Sequence, residues 1–450
     1  MQTTQAQIYL PLIKTRTLTA PIKVTLTING GVFYQQIAVA SSKEGAYNGS
    51  FKLNLNGGEF AHLVALCGSE GLSGNMTSTL NTRVDINQKQ TGTYNFSNPV
   101  QDDGADPWIF YNNGYYYYIA TAGSVLRLRK AMNIGDLPYA QSKIIYDPEE
   151  GKPWSKKLWS PEIHYYSDEQ IGKGMGGWYC YIACDDGDNK KHRMYVIKCL
   201  DGNDLFGIWG NPITGEVNVP QKIEAEDIVN FDNTWAAGQT HIIINGQLYM
   251  MYVTEALRGT TDFHQTINIV KMTNPWTITG QSHVICRPEY DWEEHGHAIS
   301  ATTGKIWPRV VEGGTAVYGD NGEVYIIYSG SGYWTTYYAL GQLKYLGGDP
   351  LDINNRKKSP EPILSKSGQI NGCGHASYVT DTSGERWICY HAYTGTNTDS
   401  GRDAFVERYT VDANGVTIGN GTKHPASLST VYTANLNPMS IKEKTSGFHN

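Results

Sequence analysis

The sequence predicts an all-β protein, because one strand pattern recurs along the chain and long helical periodicities are absent. The pattern is a glycine-centred turn followed by a short run of aromatic and β-branched residues, which is typical of a hairpin that leads into an inner strand. A chain of 450 residues is also long enough to bury a large core and to hold more than one domain. The five copies of the pattern are Gly104–Thr121, Gly176–Cys184, Asn245–Val253, Asn321–Ser329 and Ser383–Ala392.

The spacing of these copies predicts a five-bladed β-propeller over residues 99–425, preceded by a small N-terminal β domain. Steps of 63, 70, 76 and 62 residues separate the equivalent points Tyr117, Cys180, Met250, Ile326 and Ile388. Such steps suit blades of four strands joined by long loops. Residues 426–450 form a C-terminal tail with one strand-like segment, Leu428–Leu436. One interpretation of this segment is that it closes the ring beside the first blade, which leaves fewer sheet edges exposed.

Residues 1–95 are predicted as the separate small β domain. Ile22–Ile28 and Phe51–Gly57 alternate apolar and polar side chains, as half-buried strands do. Glu59–Cys67 suits either a strand or a short helix, and the polar segment Asn87–Asn98 is predicted to be the linker. No residue of this domain suggests chemistry. Its role is left open between attachment, carbohydrate binding, docking to another protein and simple packing.

Composition and charge narrow the classes of partner. A net charge of −7 without a basic stripe argues against nucleic acid. The 31 Tyr and 11 Trp suggest surfaces on which sugars stack, although propeller cores also consume aromatic residues. No apolar run approaches the length of a membrane span. The first residues lack the apolar segment of a signal peptide, so localisation is left open between a mature secreted form, the cytoplasm and a virion or surface assembly.

Three carboxylates on the approaches to the repeats are candidates for chemistry. Pro107 biases Asp106 towards an extended backbone, and Glu162 also follows a proline closely. Glu312 precedes Gly313–Gly314, which would let a ligand or a leaving sugar approach closely. If the lead-ins converge on the ring axis, two such carboxylates share acid and base duties on a glycosidic bond. A plain turn aspartate is the alternative for Asp106.

Several motifs, in order along residues 99–420, resemble glycoside hydrolase family 43, and most closely its exo-acting α-1,5-L-arabinofuranosidase and arabinanase group. The resemblance does not include the N-terminal domain. The motifs that carry it are ADPWIFYNNGYYYYIAT, LWSPEIHYY, HRMYVIKC, PEYDWEEHG, SGSGYWTTYYALGQL, DPLD, GHASYVTDTSGERWICYHAY and GRDAFVERYTVDANG.

The resemblance implies a five-bladed propeller that hydrolyses arabinan, arabinoxylan or xylo-oligosaccharides with inversion and without a required cofactor. It assigns the general base to Asp106 of the DPW motif and the general acid to Glu312. In an inverting pair the two carboxyl groups stand about 6.5–9.5 Å apart, which leaves room for the attacking water. The acid must keep its proton near neutral pH, so its pKa has to be raised by burial or by a like charge.

The chain departs from the family pattern in two places. The family's third aspartate stands in a W-A-I-D-G-T-like segment, where this chain has TWAAGQTHII with Gly238 at the aspartate position. The acid motif reads VVEGG in place of NEGP. Asp232, Glu255 or Asp262 could substitute for the missing carboxylate from a loop, and without one the activity is expected to be weakened.

Two functional hypotheses follow. The first is an inverting glycosidase acting on α-L-arabinofuranosyl linkages of arabinan or of the side chains of plant-type polysaccharides. The second is a catalytically impaired glycan-binding propeller, for example a receptor-binding part of a phage tail. The unmatched N-terminal domain, the absent signal peptide and the missing aspartate favour the second.

Further candidates surround the pair. The predicted substrate-binding residues are Trp108, Trp159, Glu162, Trp235, Trp307 and Trp334, since a furanose can stack on an indole, although about half of these tryptophans could pack between blades. His375 in GCGHASY matches a histidine that faces a metal ion or a water cluster on the axis in arabinanase-like proteins, so the resemblance allows a structural calcium or other ion there. A core histidine is an equal alternative.

Overall fold

The computed structural model describes residues 93–226, 235–381 and 383–435, together with the backbones of five strands before residue 93. The chain forms two compact units, residues 1–96 with 431–450 and residues 97–430. In the first unit, Thr3–Thr15 pairs with Gly45–Asn56, and Ile22–Ile28 lies between Gly31–Ile37 and Ala61–Cys67. The segment that suited a strand or a helix is therefore a strand. The tail strand Tyr432–Asn435 pairs with Thr93–Phe96 within the same unit.

The second unit is a five-bladed β-propeller, as the sequence predicts. Each blade is an antiparallel sheet whose strands follow one another along the chain. Blade 1 contains Trp108–Asn112, Tyr115–Ile119, Leu126–Ala131 and Gln141–Tyr146, and blade 2 contains Lys156–Tyr166, Gly177–Asp185, Arg193–Cys199, Trp209–Gly210 and Gln221–Lys222. Blade 3 contains Ala236–Ile244, Gln247–Ala256, His264–Asn274, Thr277–Cys286 and, parallel at its edge, Glu224–Glu226. Blade 4 contains Val311–Tyr318, Val324–Gly330, Ala339–Tyr345 and Arg356–Lys358, and blade 5 contains Ile370–Thr380, Arg386–Thr394, Asp403–Asp412 and Gly415–Ile418.

The connections carry little further secondary structure. The described residues include one α-helical turn, Asp168–Ile171, and a two-stranded hairpin of Ala298–Ile299 with Ile306–Trp307. The 3₁₀ turns among the described residues are Ile134–Tyr139, Asn189–Lys191, Asp291–Glu293 and Ile353–Asn355. None of the helices in the described part of the chain has the length and apolar character needed to cross a membrane.

The first strands of the five blades surround the axis, because each contacts the first strand of the next blade and the fifth contacts the first. The repeated glycine-turn pattern lies one step further out. All five equivalent points, from Tyr117 to Ile388, are on second strands. These strands are buried along almost their whole length between neighbouring blades, which is why they are continuously aromatic and β-branched.

The ring is closed by the segment that leads into blade 1. The N–H of Val100 donates to the carbonyl of Ala404 at 2.8 Å, and the N–H of Ala404 donates to the carbonyl of Gln101 at 2.8 Å. The side chain of Asn98 bonds both backbone groups of Val406. This pairing covers the exposed part of a blade 5 strand. It also fixes the chain directly before Asp106, which therefore lies at the seam of the ring.

Candidate active site

A β-bulge recurs in the inner strands and determines which of their side chains lie at one end of the propeller axis. The pairing of the first and second strands shifts register after Trp159, Ala237, Glu312 and Gly374 in blades 2 to 5. The residue that follows each of these has a positive φ, and Asp106 has the same conformation before the first strand of blade 1. The five φ values are 52° at Asp106, 45° at Ser160, 56° at Gly238, 61° at Gly313 and 50° at His375.

This conformation differs from the extended backbone that Pro107 suggested for Asp106. A positive φ costs a non-glycine residue about 1–2 kcal/mol, and aspartate is among the residues that adopt it most readily. The ring structure supplies compensating bonds. The N–H of Asp106 donates to His391 Nδ1 at 3.0 Å, and the N–H of the preceding Gly104 donates to the carbonyl of Arg402 at 2.7 Å.

Asp106 is buried, and its carboxylate is surrounded by donors. The hydroxyl of Thr121 donates to Oδ2 at 2.6 Å and itself accepts the N–H of Ser160 at 2.8 Å. Arg402 Nη1 lies 3.2 Å and His375 Nδ1 3.3 Å from Oδ1. Burial alone would raise the pKa of Asp106, but His375 and Arg402 hold it well below its usual value. Asp106 is therefore ionised near neutral pH.

Glu312 has the opposite electrostatics. It lies in the inner strand of blade 4, and Tyr338 donates its hydroxyl hydrogen to Glu312 Oε1 at 2.9 Å. Burial raises the pKa of Glu312 above its ordinary value against the lowering effect of His375, and the Asp106 carboxylate adds to the rise. A carboxyl group with a raised pKa beside one with a lowered pKa is the arrangement of an acid and base pair.

The glycines after Glu312 serve a different purpose from the one that the sequence suggested. A Cβ at Gly313 would lie 3.0 Å from His375 Nδ1, and a Cβ at Gly314 would contact Ile267 and Ile326 at 3.6 Å. Neither glycine lines the cavity that Asp106 and Glu312 share. Gly313 therefore permits the bulge and the close approach of His375, and it does not make room for a leaving sugar.

Asp106 and Glu312 open on one cavity of about 450 Å³, which also exposes Gly238, His375 and Arg402. Its walls come from all five blades and from the hairpin before blade 4. Four of the five predicted tryptophans line it, namely Trp159, Trp235, Trp307 and Trp334.

Neighbouring side chains hold two of these tryptophans in place. The Trp159 ring lies 4.1 Å from the buried ring of His192, and the indole N–H of Trp235 donates to Asn189 Oδ1 at 2.8 Å. Lys305 lies 4.6 Å above the ring of Trp307. The cavity thus combines half-buried indole faces with polar groups, a combination that suits a sugar ring.

Trp108 and Glu162 are not among the residues that line this cavity. Both lie two residues after a bulge and bond to the next blade. The indole N–H of Trp108 donates to the carbonyl of Ile163 at 3.0 Å, and Glu162 bonds the side chain of Thr240. These bonds tie neighbouring inner strands together, and a role of Trp108 and Glu162 in substrate binding stays a prediction.

Glu162 is nevertheless electrostatically unusual. Its side chain is 6% exposed, and Oε2 lies 2.9 Å from His164 Nε2. Burial raises the pKa of Glu162 to about 8 and lowers the pKa of His164 to about 3, so both groups are mainly neutral near neutral pH.

The structure places the proposed substitutes for the third aspartate as follows. Gly238 stands at a bulge position and lines the cavity. Glu255 also lines it and is paired with Arg258, whereas Asp262 is paired with Arg309 and has a 58% exposed side chain. Asp232 lies outside the described residues. The carboxylate that acts on the pKa of Glu312 is Asp106 itself.

The ring of His375 faces Asp106, and the backbone N–H of His375 donates to Ser329 Oγ at 2.7 Å. Calcium takes about six to eight oxygen ligands. Across residues 93–226, 235–381 and 383–435, no three His, Cys, Asp or Glu side chains lie close enough together to hold a metal ion. An ion on the axis beside His375 stays a prediction.

The residues that position the two carboxylates were not among the predicted site residues. Arg402 stands in the GRDAF motif and His391 in the YHAY motif, so both lie in segments that carried the family resemblance. Thr121 ends the ADPWIFYNNGYYYYIAT motif and Tyr338 stands in SGSGYWTTYYALGQL, so these two also lie in segments that carried the resemblance. Asp106 and Arg402 are separated by 296 residues, and only the closed ring brings them together.

Comparison with known proteins agrees with this geometry. The model of the glycosyl hydrolases family 43 matches residues 96–417. The extracellular exo-α-(1→5)-L-arabinofuranosidase of Streptomyces avermitilis is 28% identical over 322 residues, which cover 70% of this chain and 59% of that protein. The Streptomyces chartreusis enzyme of the same name is 27% identical over 305 residues, which cover 66% of this chain and 82% of that protein.

Solved structures support the fold. The α-L-arabinofuranosidase from Lactobacillus brevis superposes with a TM-score of 0.59 at 24% identity, over 74% of this chain and 98% of that chain. A thermostable family-43 glycoside hydrolase gives a TM-score of 0.54 at 19% identity, over 74% and 98% of the two chains. The resemblance inferred from the motifs is confirmed, and the chain belongs to glycosyl hydrolase family 43.

Proposed function

We propose that this protein is an inverting glycoside hydrolase that releases L-arabinofuranose from α-L-arabinofuranosyl linkages, in arabinan or in the side chains of plant-type polysaccharides. The observation that carries the proposal is the pair of carboxyl groups on one cavity, with the pKa of Asp106 lowered and that of Glu312 raised. The names of the arabinofuranosidase relatives support the choice of sugar.

In the proposed reaction Asp106 accepts a proton from a water molecule while the water oxygen attacks the anomeric carbon. Glu312 gives its proton to the glycosidic oxygen as the bond to that carbon breaks and its electron pair moves to the oxygen. Each turnover leaves Asp106 protonated and Glu312 ionised, and exchange with solvent restores both. Trp159 and Trp235 offer faces on which the furanose stacks.

The alternative, a propeller that only binds glycan, lacks a physical reason for the opposed pKa shifts. Those shifts are useful for proton transfer and dispensable for stacking a sugar. Docking of residues 1–95 to another protein stays a prediction.

The test is hydrolysis of debranched α-1,5-arabinan and of 4-nitrophenyl α-L-arabinofuranoside, with Asp106→Asn as the comparison. Proton NMR of the first product should show the inverted, β-configured sugar before it mutarotates. Equal, trace-level release by both proteins would point to binding alone. Release of xylose in place of arabinose would change the sugar and keep the reaction class.

A further inference from the structure

Tyr338 links the proposed acid, Glu312, to neighbouring strands of the propeller. It directly precedes the third strand of blade 4 and is fully buried. Its hydroxyl donates to Glu312 Oε1 at 2.9 Å. Burial and the neighbouring Glu312 keep the pKa of Tyr338 well above its ordinary value, so the phenol stays protonated and acts as a donor.

Two close contacts hold the ring of Tyr338. A Cβ at Gly374 would lie 2.1 Å from Tyr338 Cε1, so the ring rests directly on the backbone of the blade 5 inner strand. The ring of His391 lies parallel to it, with centroids 5.4 Å apart and an angle of 3° between the planes. A side chain held in this way keeps its hydroxyl in one place, which is the requirement for orienting a reacting group.

One of these two contacts, the ring of His391, also bonds the proposed base, Asp106. His391 is fully buried, and its Nδ1 accepts the N–H of Asp106 at 3.0 Å. Burial lowers the pKa of His391 to about 4, so the ring is neutral near neutral pH, and accepting the N–H of Asp106 at Nδ1 places the ring hydrogen on Nε2. Asp106 and Glu312 are therefore each bonded to one of two stacked rings.

We propose that Tyr338 is the positioning residue of the acid: by donating to Oε1 of Glu312, it leaves Oε2 to carry the proton that goes to the leaving oxygen. The inference rests on the proposed function. It also answers the departure at Gly238, because a neutral donor orients Glu312 where the family pattern has a third carboxylate. As the proton leaves Oε2, the bond from Tyr338 becomes a bond to a full carboxylate and strengthens, while Tyr338 keeps its own proton.

The first experiment compares Tyr338→Phe with the wild type on arabinotriose and on 4-nitrophenyl α-L-arabinofuranoside across pH. Phenylalanine keeps the clamped ring and removes only the donor. We expect kcat on arabinotriose to fall by about tenfold to a hundredfold, with a much smaller loss on the activated substrate, because the latter needs little protonation. The basic limb of kcat/KM should move to higher pH, since a donor that favours the ionised form of Glu312 is gone.

Tyr328→Phe is the matched control. Tyr328 is buried in the same blade and donates to the buried carboxylate of Glu293 at 2.8 Å, outside the cavity. Its loss costs a bond of the same kind without contact with the reacting groups. The control should lower the melting temperature comparably and leave the basic limb in place. An equal loss on both substrates with an unmoved limb in Tyr338→Phe would mean that Tyr338 only packs, and would overturn the proposal.

A second variant and a direct titration separate this inference from the proposed function. Replacing Tyr338 with 3-fluorotyrosine makes the phenol a stronger donor, so the basic limb should move to lower pH. Carbon-13 NMR of protein labelled at the glutamate δ-carbon, assigned with Glu312→Gln, reports the pKa of Glu312 without turnover. An unchanged pKa in Tyr338→Phe refutes the positioning bond. A raised pKa in a protein inactive on every arabinofuranoside refutes only the proposed function.

Discussion

Replacing Arg402 tests most directly how the proposed base, Asp106, is kept ionised. Its guanidinium lies against Asp106, with 3.2 Å between Nη1 and Oδ1, and also 4.6 Å from the ring of Tyr333. In Arg402→Gln the positive charge is lost and a hydrogen-bond donor remains. The pKa of Asp106 should rise, because one of the two main charges that lower it is gone. Since the base must be ionised, activity is lost as pH falls through this pKa, and the acidic limb of kcat/KM should move to higher pH.

The size of the shift follows from the geometry. Two unit charges 3.2 Å apart in an effective dielectric of about 20 interact by about 5 kcal/mol. His375 remains beside the carboxylate, and the Arg402 side chain is 19% exposed, so water enters the vacated space and recovers part of that energy. Aspartates beside an arginine shift by about 1–3 pH units. We expect the limb to move by about 1–2 units.

The assay is the pH dependence of kcat/KM on 4-nitrophenyl α-L-arabinofuranoside, whose good leaving group isolates the base from the acid. Arg408→Gln is the matched control, since Arg408 lies in the strand Asp403–Asp412 that directly follows Arg402. Arg408 pairs with Glu385 at 2.6 Å on an exposed face, 47% exposed, and does not contact Asp106. An acidic limb that stays in place in Arg402→Gln, with a lowered rate at every pH, would refute the electrostatic argument and leave Arg402 a purely steric role.

The remaining predictions concern the two glutamates and the bulge glycines. Glu312→Gln should abolish most turnover of arabinan and largely spare the nitrophenyl substrate; a leaving-group-dependent loss in Glu162→Gln instead would move the acid assignment. Because burial raises the pKa of Glu162 from 4.5 to about 8, the folded state holds a proton that the unfolded chain releases, so stability should fall as pH rises between those values. Urea unfolding should show that Glu162→Gln removes this part of the slope, and an unchanged slope would contradict the assignment. Gly313→Ala should cost about 1–3 kcal/mol and more than Gly238→Ala, since only the former forces a Cβ against His375; equal unfolding midpoints would disprove this.

The blades could be predicted from the second strands and not from the inner ones. Second strands such as Gly177–Asp185 are buried on both faces, so their sequences are continuous apolar runs behind a turn glycine. The inner strands are broken by bulges and mix apolar residues with buried polar groups such as Glu162 and Thr240. No regular alternation survives a bulge, because the extra residue changes the face on which the later side chains lie.

At the site, the predictable part was local. Asp106 and Glu312 stand in recognisable motifs, whereas the groups that set their pKa values come from other blades. The predicted extended backbone at Asp106 was wrong for the same reason. Pro107 exerts only a local bias on the chain, whereas the N–H of Asp106 bonds His391 Nδ1 from a distant part of the sequence. Trp108 shows the same limit, since its position in the sequence does not reveal that its indole N–H bonds the carbonyl of Ile163 in the next blade.

Gly238 shows how the family's chemistry can proceed with one carboxylate fewer. A Cβ there would meet Val253 Cγ2 at an ordinary 3.5 Å, so packing does not require glycine at this position. The same bulge conformation holds an aspartate in blade 1 and a histidine in blade 5. What a third carboxylate would add electrostatically is a raised pKa for the acid, and burial together with Asp106 already raises the pKa of Glu312. What it would add sterically is orientation, and the donor from Tyr338 supplies that. The two duties of the missing residue are thus divided between groups that the ring brings to Glu312 from elsewhere in the fold.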